Sequence, residues 1–121
     1  MAAPGARQRA YRWGVRAETL CAWWLRLRGY HILAQRYRNR FGETDIVARR
    51  GGVVAFIEVK ARAGHEVALE AIATKQRRRI ERSAMGFLAG YPNVVEHTVR
   101  FDVITVVPWR WPRHIIDAWR P

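Results

Sequence analysis

Asp45 and Glu58 are two carboxylates that the sequence sets side by side across a predicted hairpin. Residues 42–50, Gly-Glu-Thr-Asp-Ile-Val-Ala-Arg-Arg, lead into Gly51-Gly52, and residues 53–60, Val-Val-Ala-Phe-Ile-Glu-Val-Lys, lead away. Gly-Gly between two β-rich runs signals a two-residue hairpin, because both central positions of a type I′ turn need positive φ. A turn centred there pairs Arg50 with Val53, Val47 with Phe56 and Ile46 with Ile57. Continued, the register sets Asp45 opposite Glu58 and Glu43 opposite Lys60. Directly opposed side chains lie about 4.5–5.5 Å apart, and like charges there are destabilising. A divalent cation between them removes that penalty. The alternative is a structural salt-bridge cluster neutralised by Lys60 and neighbouring arginines.

Oxygen ligands favour magnesium or manganese over softer metals. Asp45 and Glu58, joined by Glu18 and the carbonyl of Val59, form the candidate ligand set. A cation held there would lower the pKa of bound water and polarise a phosphoryl oxygen. Lys60 would orient the attacking water or stabilise developing charge. That chemistry is phosphodiester hydrolysis.

The charge agrees with such a substrate. The chain of 121 residues carries a formal +12, which calls for a polyanionic partner, with nucleic acid foremost, a ribosomal surface next and an acidic membrane below both. Of the 22 basic residues 20 are arginine; the only lysines are Lys60 and Lys75, one of them two residues past Glu58. A lysine amine adjusts its pKa and acts as a compact point charge where arginine does not. The length fits one domain over residues 11–121, preceded by a flexible basic arm at 1–10. The lone Cys21 rules out an intrachain disulfide and a cysteine-cluster zinc site. His31, His65, His97 and His114 show no ligand spacing. No apolar run reaches membrane-spanning length, so a soluble cytoplasmic protein without a membrane partner is expected.

The elements that must position these groups read in the order helix, three strands, helix, strand. Residues 11–28 show helical periodicity, with Ala17, Leu20, Trp24 and Leu27 as the buried stripe and Gly29 as the stop. Glu18 falls at the edge of that face, near Cys21, Ala22 and Leu25. Residues 30–38 form a first strand with Ile32 and Ala34 on one face, and 39–42 turn into the hairpin. An exposed loop follows at 61–66, then a second helix at 68–89 with Leu69, Ile72, Ile80, Ala84 and Phe87 along one line. Gln76 interrupts that line and needs hydrogen-bond partners. Lys75, Arg78 and Arg79 on this helix, with Arg40 and Arg62, are the expected phosphate contacts. Residues 99–107 form a further strand in which Asp102 is a buried carboxylate paired with an arginine, and 114–117 form an edge strand. Trp109, Trp111 and Trp119 either pack over the sheet edge or stack on bases.

Asp45 followed after 13 positions by Glu58-Val59-Lys60 resembles the core of the PD-(D/E)XK nuclease superfamily. Ala17-Glu18, Gly29-Tyr30, residues 42–48, residues 56–62, Lys75-Gln76 and residues 100–103 together resemble the YraN-like family of bacterial proteins. The likeness runs from Gly14 to Ala118, with Ala17 in place of a usual glycine and Thr44 in place of a usual aliphatic residue. It implies a restriction endonuclease-like αβββαβ core, a mixed central sheet flanked by helices, similar to archaeal Holliday junction resolvases. It also implies Glu18, Asp45, Glu58 and Lys60 as active-site positions and Gln76 as an accessory. The expected function is a magnesium- or manganese-dependent endonuclease hydrolysing phosphodiester bonds in DNA, with branched or structured DNA as the candidate substrate and a homodimer as one expected assembly. A non-catalytic nucleic-acid binder on the same fold is the second reading. An adaptor for an acidic protein or ribosomal RNA is the third.

Overall fold

In the computed structural model, the described residues are 6–61, 74–91 and 97–121, with side chains described from Gly14 onward. Helix α1 spans Ala6–Leu27, strand β1 His31–Arg38, β2 Glu43–Arg50, β3 Val53–Ala61, helix α2 Thr74–Gly90, β4 Thr98–Val106 and β5 Arg113–Trp119. The strands form one five-stranded sheet in the order β1-β2-β3-β4-β5. Every neighbouring pair is antiparallel except β3 and β4, which run parallel through the crossover that contains α2. A mixed sheet with a helix on each face is compatible with a restriction endonuclease-like core.

The sheet separates two apolar clusters. Ala17, Cys21 and Leu25 of α1 pack on Ile46, Ala48, Ala55, Ile57 and Ile104. On the opposite face Ile80, Ala84 and Phe87 of α2 pack on Val47, Val54, Phe56 and Val103. The central strands are therefore apolar on both sides, as their continuous hydrophobic runs require.

Gly29 ends α1 as expected. It takes φ 90°, and Tyr30 N–H donates to Leu25 O while Gly29 N–H donates to Arg26 O, the hydrogen-bond pair of a Schellman cap. The other end of α1 differs from expectation: the helix begins at Ala6, inside the segment read as an arm, and residues 1–5 lie outside the described residues. The buried stripe also differs. Leu20 and Leu27 are exposed, while Ala17 and Trp24 face the core as expected, joined by Cys21, Ala22 and Leu25. Ala17, Cys21 and Ala22 let the helix backbone approach the sheet closely, which large side chains at those positions would prevent.

The register of the β2–β3 hairpin is the expected one, from Arg50↔Val53 to Ile46↔Ile57. Of the two turn glycines only Gly51 takes a positive φ, 57°, which is the pattern of a type II′ rather than a type I′ turn. Strand β1 carries a bulge between Ile32 and Ala34. The extra residue sends Ile32 to the α1 cluster and Ala34 to the α2 cluster, not to one shared face. The expected loop at 61–66 and the helix start at 68 fall mostly outside the described residues, as does Arg62. The last strand is longer than expected and ends on Trp119, which stacks on Phe101 with ring centres 5.4 Å apart. Trp119 is thus a core residue, whereas Trp109 and Trp111 are exposed.

Candidate active site

The hairpin ladder stops at Ile46 and Ile57. Beyond that point the Val59 N–H donates to Asp45 Oδ2 at 2.8 Å. The Asp45 carboxylate thus takes up a backbone donor where the ladder has ended. Alternation along β2 slips at this position. Ile46 packs under α1 and Val47 under α2, so strict alternation would return Thr44 to the α1 side. Instead the Thr44 hydroxyl bonds the Ser83 hydroxyl of α2. On the neighbouring strand, Gln35↔Ile46 and Tyr37↔Thr44 bracket Arg36 opposite Asp45, and Arg36 takes φ 51°. A non-glycine residue in that region is strained and is held there by its surroundings. Arg36 Nε in turn donates to Glu18 Oε2 at 2.8 Å.

Glu58 is 6% and Lys60 8% exposed. The Lys60 ammonium lies 3.1 Å from Glu58 Oε1 and donates to Gln76 Oε1 at 2.9 Å. Gln76 Nε2 donates to Glu58 Oε1. One amide thus uses both ends, accepting from the lysine and donating to the carboxylate. This explains a glutamine on the apolar line of α2. Glu43 does not meet Lys60; its two oxygens take Arg38 at 3.0 Å and Arg79 at 3.1 Å.

Electrostatics set the three inner carboxylates apart from the rest. Burial, then the charge of Glu58, pushes Asp45 up to about 7, against the opposing pull of the Val59 amide and Lys60. Burial also raises Glu58 above its ordinary value, with Lys60 countering. Glu18 is raised by burial and by Asp45, with Arg36 opposing. Asp45 therefore stands between two other acids, and mutual repulsion makes its charge costly.

Two hollows adjoin this group. An open cleft of about 490 Å³ is lined by Glu18, Arg36, Tyr37, Arg38, Glu43, Thr44 and Asp45. A smaller cavity of about 70 Å³ is lined by Glu43, Asp45, Glu58, Gln76, Arg79 and Ile80. The second is polar and large enough for an ion with water. Its two inner carboxylates are hard oxygen donors whose repulsion a cation would relieve, so the donor set fits magnesium or manganese. Among the described residues, no three His, Cys, Asp or Glu side chains are arranged to hold a metal ion as they stand. Glu18 points to Arg36, so Asp45 and Glu58 are the pair best placed to hold an ion.

The structure brings Asp45, Glu58, Lys60 and Gln76 together, sets Glu18 beside Asp45, and gives Val59 a role through its amide. Lys75, Arg78 and Arg40 are exposed, while Arg79 is tied to Glu43. Two residues outside the sequence-based candidates also shape the site. Arg36 fixes Glu18. Asn39 ties the β1–β2 turn to α2: its Oδ1 accepts the Phe41 and Gly42 amides, and its Nδ2 donates to Ser83 O at 3.1 Å. Asn before a glycine-containing turn was the available hint for the second. Asp102, opposite Ile57 on the neighbouring strand β4, is the expected buried ion pair. It accepts two bonds from Arg100, one from the amide of Asp117 and shares one with His114. Burial opposes its charge, yet these partners outweigh it and hold the carboxyl below the usual range.

Known proteins are similar to this one over nearly the whole chain. A family model described as "Uncharacterised protein family UPF0102" matches residues 17–106. A UPF0102 protein of Parvibaculum lavamentivorans is 49% identical over 118 residues, 98% of this chain and 89% of the relative. One from Paramagnetospirillum magneticum is 53% identical over 119 residues, 95% and 92% of the two chains. One from Mesorhizobium japonicum is 50% identical over 113 residues, 93% and 90%.

Proposed function

This chain belongs to the UPF0102 family, and we propose that it is a metal-dependent endonuclease of the PD-(D/E)XK superfamily that hydrolyses phosphodiester bonds in DNA. The observation that carries the reading is the convergence, at a splayed hairpin, of Asp45, Glu58 and Lys60 with Gln76 bridging the last two. Structural ion pairs are normally saturated by opposite charge. Here Asp45 meets two acids and is pushed to about 7. Lys60 offsets that repulsion only in part, which supports a site that takes a further positive species.

Asp45 and Glu58 would hold magnesium or manganese, with Glu18 able to join once it leaves Arg36. When bound, such an ion supplies Lewis acidity toward a phosphoryl oxygen and lowers the pKa of a coordinated water. The protein's own groups do the rest. Lys60, fixed by Glu58 and Gln76, places a positive charge where the phosphorane-like transition state gains negative charge. Gln76 keeps that ammonium from collapsing fully onto the carboxylate and sets its direction. Arg40, Lys75 and Arg78 are exposed cations that would attract the backbone without reading sequence.

The test is cleavage of junction, flap and blunt duplex DNA in magnesium or manganese. The wild type is expected to cut at least one of them, and Asp45→Asn and Lys60→Ala are expected to lose on the order of a hundredfold or more in rate. Wild-type cleavage no faster than either variant rejects the proposal. The competing reading, a non-catalytic nucleic-acid binder on this fold, draws on the same +12 charge and on Glu18 already paired with Arg36. It requires DNA binding that is insensitive to chelator and to Lys60→Ala.

A further inference from the structure

Two tryptophans leave the sheet at the end that carries the carboxylates. The parallel register pairs Lys60 with Thr105 and Ala61 with Val106, so the loop after β4 departs beside Lys60. That loop holds Trp109 and Trp111, 102% and 82% exposed, with the exposed Arg110 between them. Trp109 also takes φ 64°, a conformation that costs a bulky residue about 1 kcal/mol or more. A fully exposed indole on strained backbone contributes nothing to the core, so folding does not account for it. The rings border a shallow groove of about 300 Å³ lined by Leu20, Trp109, Arg110, Trp111 and Pro112, with no acidic residue. On α1, Arg16, Leu20 and Trp23 continue the exposed surface at one-turn spacing. The Arg26 guanidinium lies over the Trp23 ring, 4.8 Å from its centre.

From this geometry we infer that the groove is a stacking platform for unpaired bases, receiving a single-stranded DNA segment that extends from the carboxylate site. The inference rests on the nuclease reading and names its substrate class: DNA with a single-stranded portion, such as a flap or an open branch. Unpaired bases present flat π-faces on a polyanionic backbone, and aromatic rings interleaved with arginines complement both. A continuous duplex buries its base faces in the stack and would use the arginines while leaving the rings idle. A second copy of the chain would bring another strongly cationic surface, +12 in all, against the same arginines.

The test measures fluorescence anisotropy of labelled oligothymidylate, about 16 nucleotides long, and of a blunt duplex of equal length. Both are bound in chelator to the Asp45→Asn protein, so neither cleavage nor cation binding enters the readout. Combined Trp109→Ala and Trp111→Ala is expected to weaken single-strand binding on the order of tenfold or more while changing duplex binding less than about twofold. Phenylalanine at both positions is expected to restore most of the single-strand affinity. Equal weakening of both DNAs, no weakening, or no single-strand binding at all overturns the inference. So does loss of self-association, or of binding to anionic phosphatidylglycerol vesicles, in the alanine variant with single-strand affinity unchanged. The two claims fail differently: failed catalysis leaves this binding difference in place, whereas a failed platform leaves cleavage without it.

Discussion

Replacing Asp45 with asparagine should stabilise the metal-free protein at alkaline pH, although it removes the hydrogen-bonding acid at the heart of the site. In the folded chain the Asp45 carboxyl is pushed from 3.8 to about 7, by burial first and the Glu58 charge second. Folding therefore favours the protonated form. Between those two values the folded state holds a proton that the unfolded chain has released, so stability falls as pH rises. The contribution is complete below the lower value and lost as pH climbs through the upper one. The difference corresponds to about 4 kcal/mol as an upper figure, and relaxation of the splayed strands brings the expected effect to about 2–4 kcal/mol. An asparagine oxygen still accepts the Val59 amide but carries no charge.

For a domain of this size that difference is a melting-temperature rise on the order of 10 °C. Circular dichroism melts in chelator, from about pH 5 to pH 8.5, measure it. The wild type is expected to lose stability up to about pH 7, where Asp45 finishes ionising, and to level off above it; Asp45→Asn is expected to lose less but not nothing, since Glu58 and Glu18 are also raised. Magnesium at a hundred times its Kd is expected to return about 2.7 kcal/mol to the wild type at high pH and little to the variant. A wild-type curve that is flat or rises with pH, or a variant that melts below the wild type at the alkaline end, refutes the reasoning.

Gln76→Ala removes both the acceptor for Lys60 and the donor to Glu58. Cleavage in a single-turnover assay is expected to fall about 10–100-fold, the usual cost of losing a group that orients a ligand. Stability in urea should drop by about 1–3 kcal/mol for bonds to charged groups. Gly42→Ala would set a methyl 1.9 Å from the Arg79 carbonyl oxygen, and neither partner is a side chain that can move aside. The urea midpoint is expected to reveal a loss of about 2–4 kcal/mol, and an unchanged midpoint would mean that the β1–β2 turn does not press on α2.

The parts legible in the sequence were those fixed by local chemistry. Gly51-Gly52 and the apolar runs on either side determine the hairpin register, and with it the approach of Asp45 to Glu58. Gly29 marks the end of α1 because only a left-handed residue completes that cap. Gln76 stood out because a polar amide on an apolar line needs partners. Features that depend on packing between distant elements were not legible. The expected stripe of α1 holds at Ala17 and Trp24 and fails at Leu20 and Leu27, because hydrophobic size draws attention to the leucines whereas close approach to the sheet selects Cys21 and Ala22. The slip at Asp45 was invisible for a related reason. It arises from Arg36 at φ 51° on one side and the Thr44–Ser83 bond on the other, neither of which leaves a trace in spacing. Trp119 and Trp109 look alike in the sequence, yet one fills the core and the other stands in solvent. Only the pairing of β5 with β4 decides between them.

Anomalous diffraction from crystals soaked in manganese addresses the account's central claim most directly. A peak within ligand distance of both Asp45 and Glu58, about 2.0–2.3 Å, and absent from Asp45→Asn crystals, is the expected result. Wild-type crystals with no peak there, and with Asp45 still held by the Val59 amide and Glu58 by Gln76 and Lys60 at saturating manganese, would contradict it.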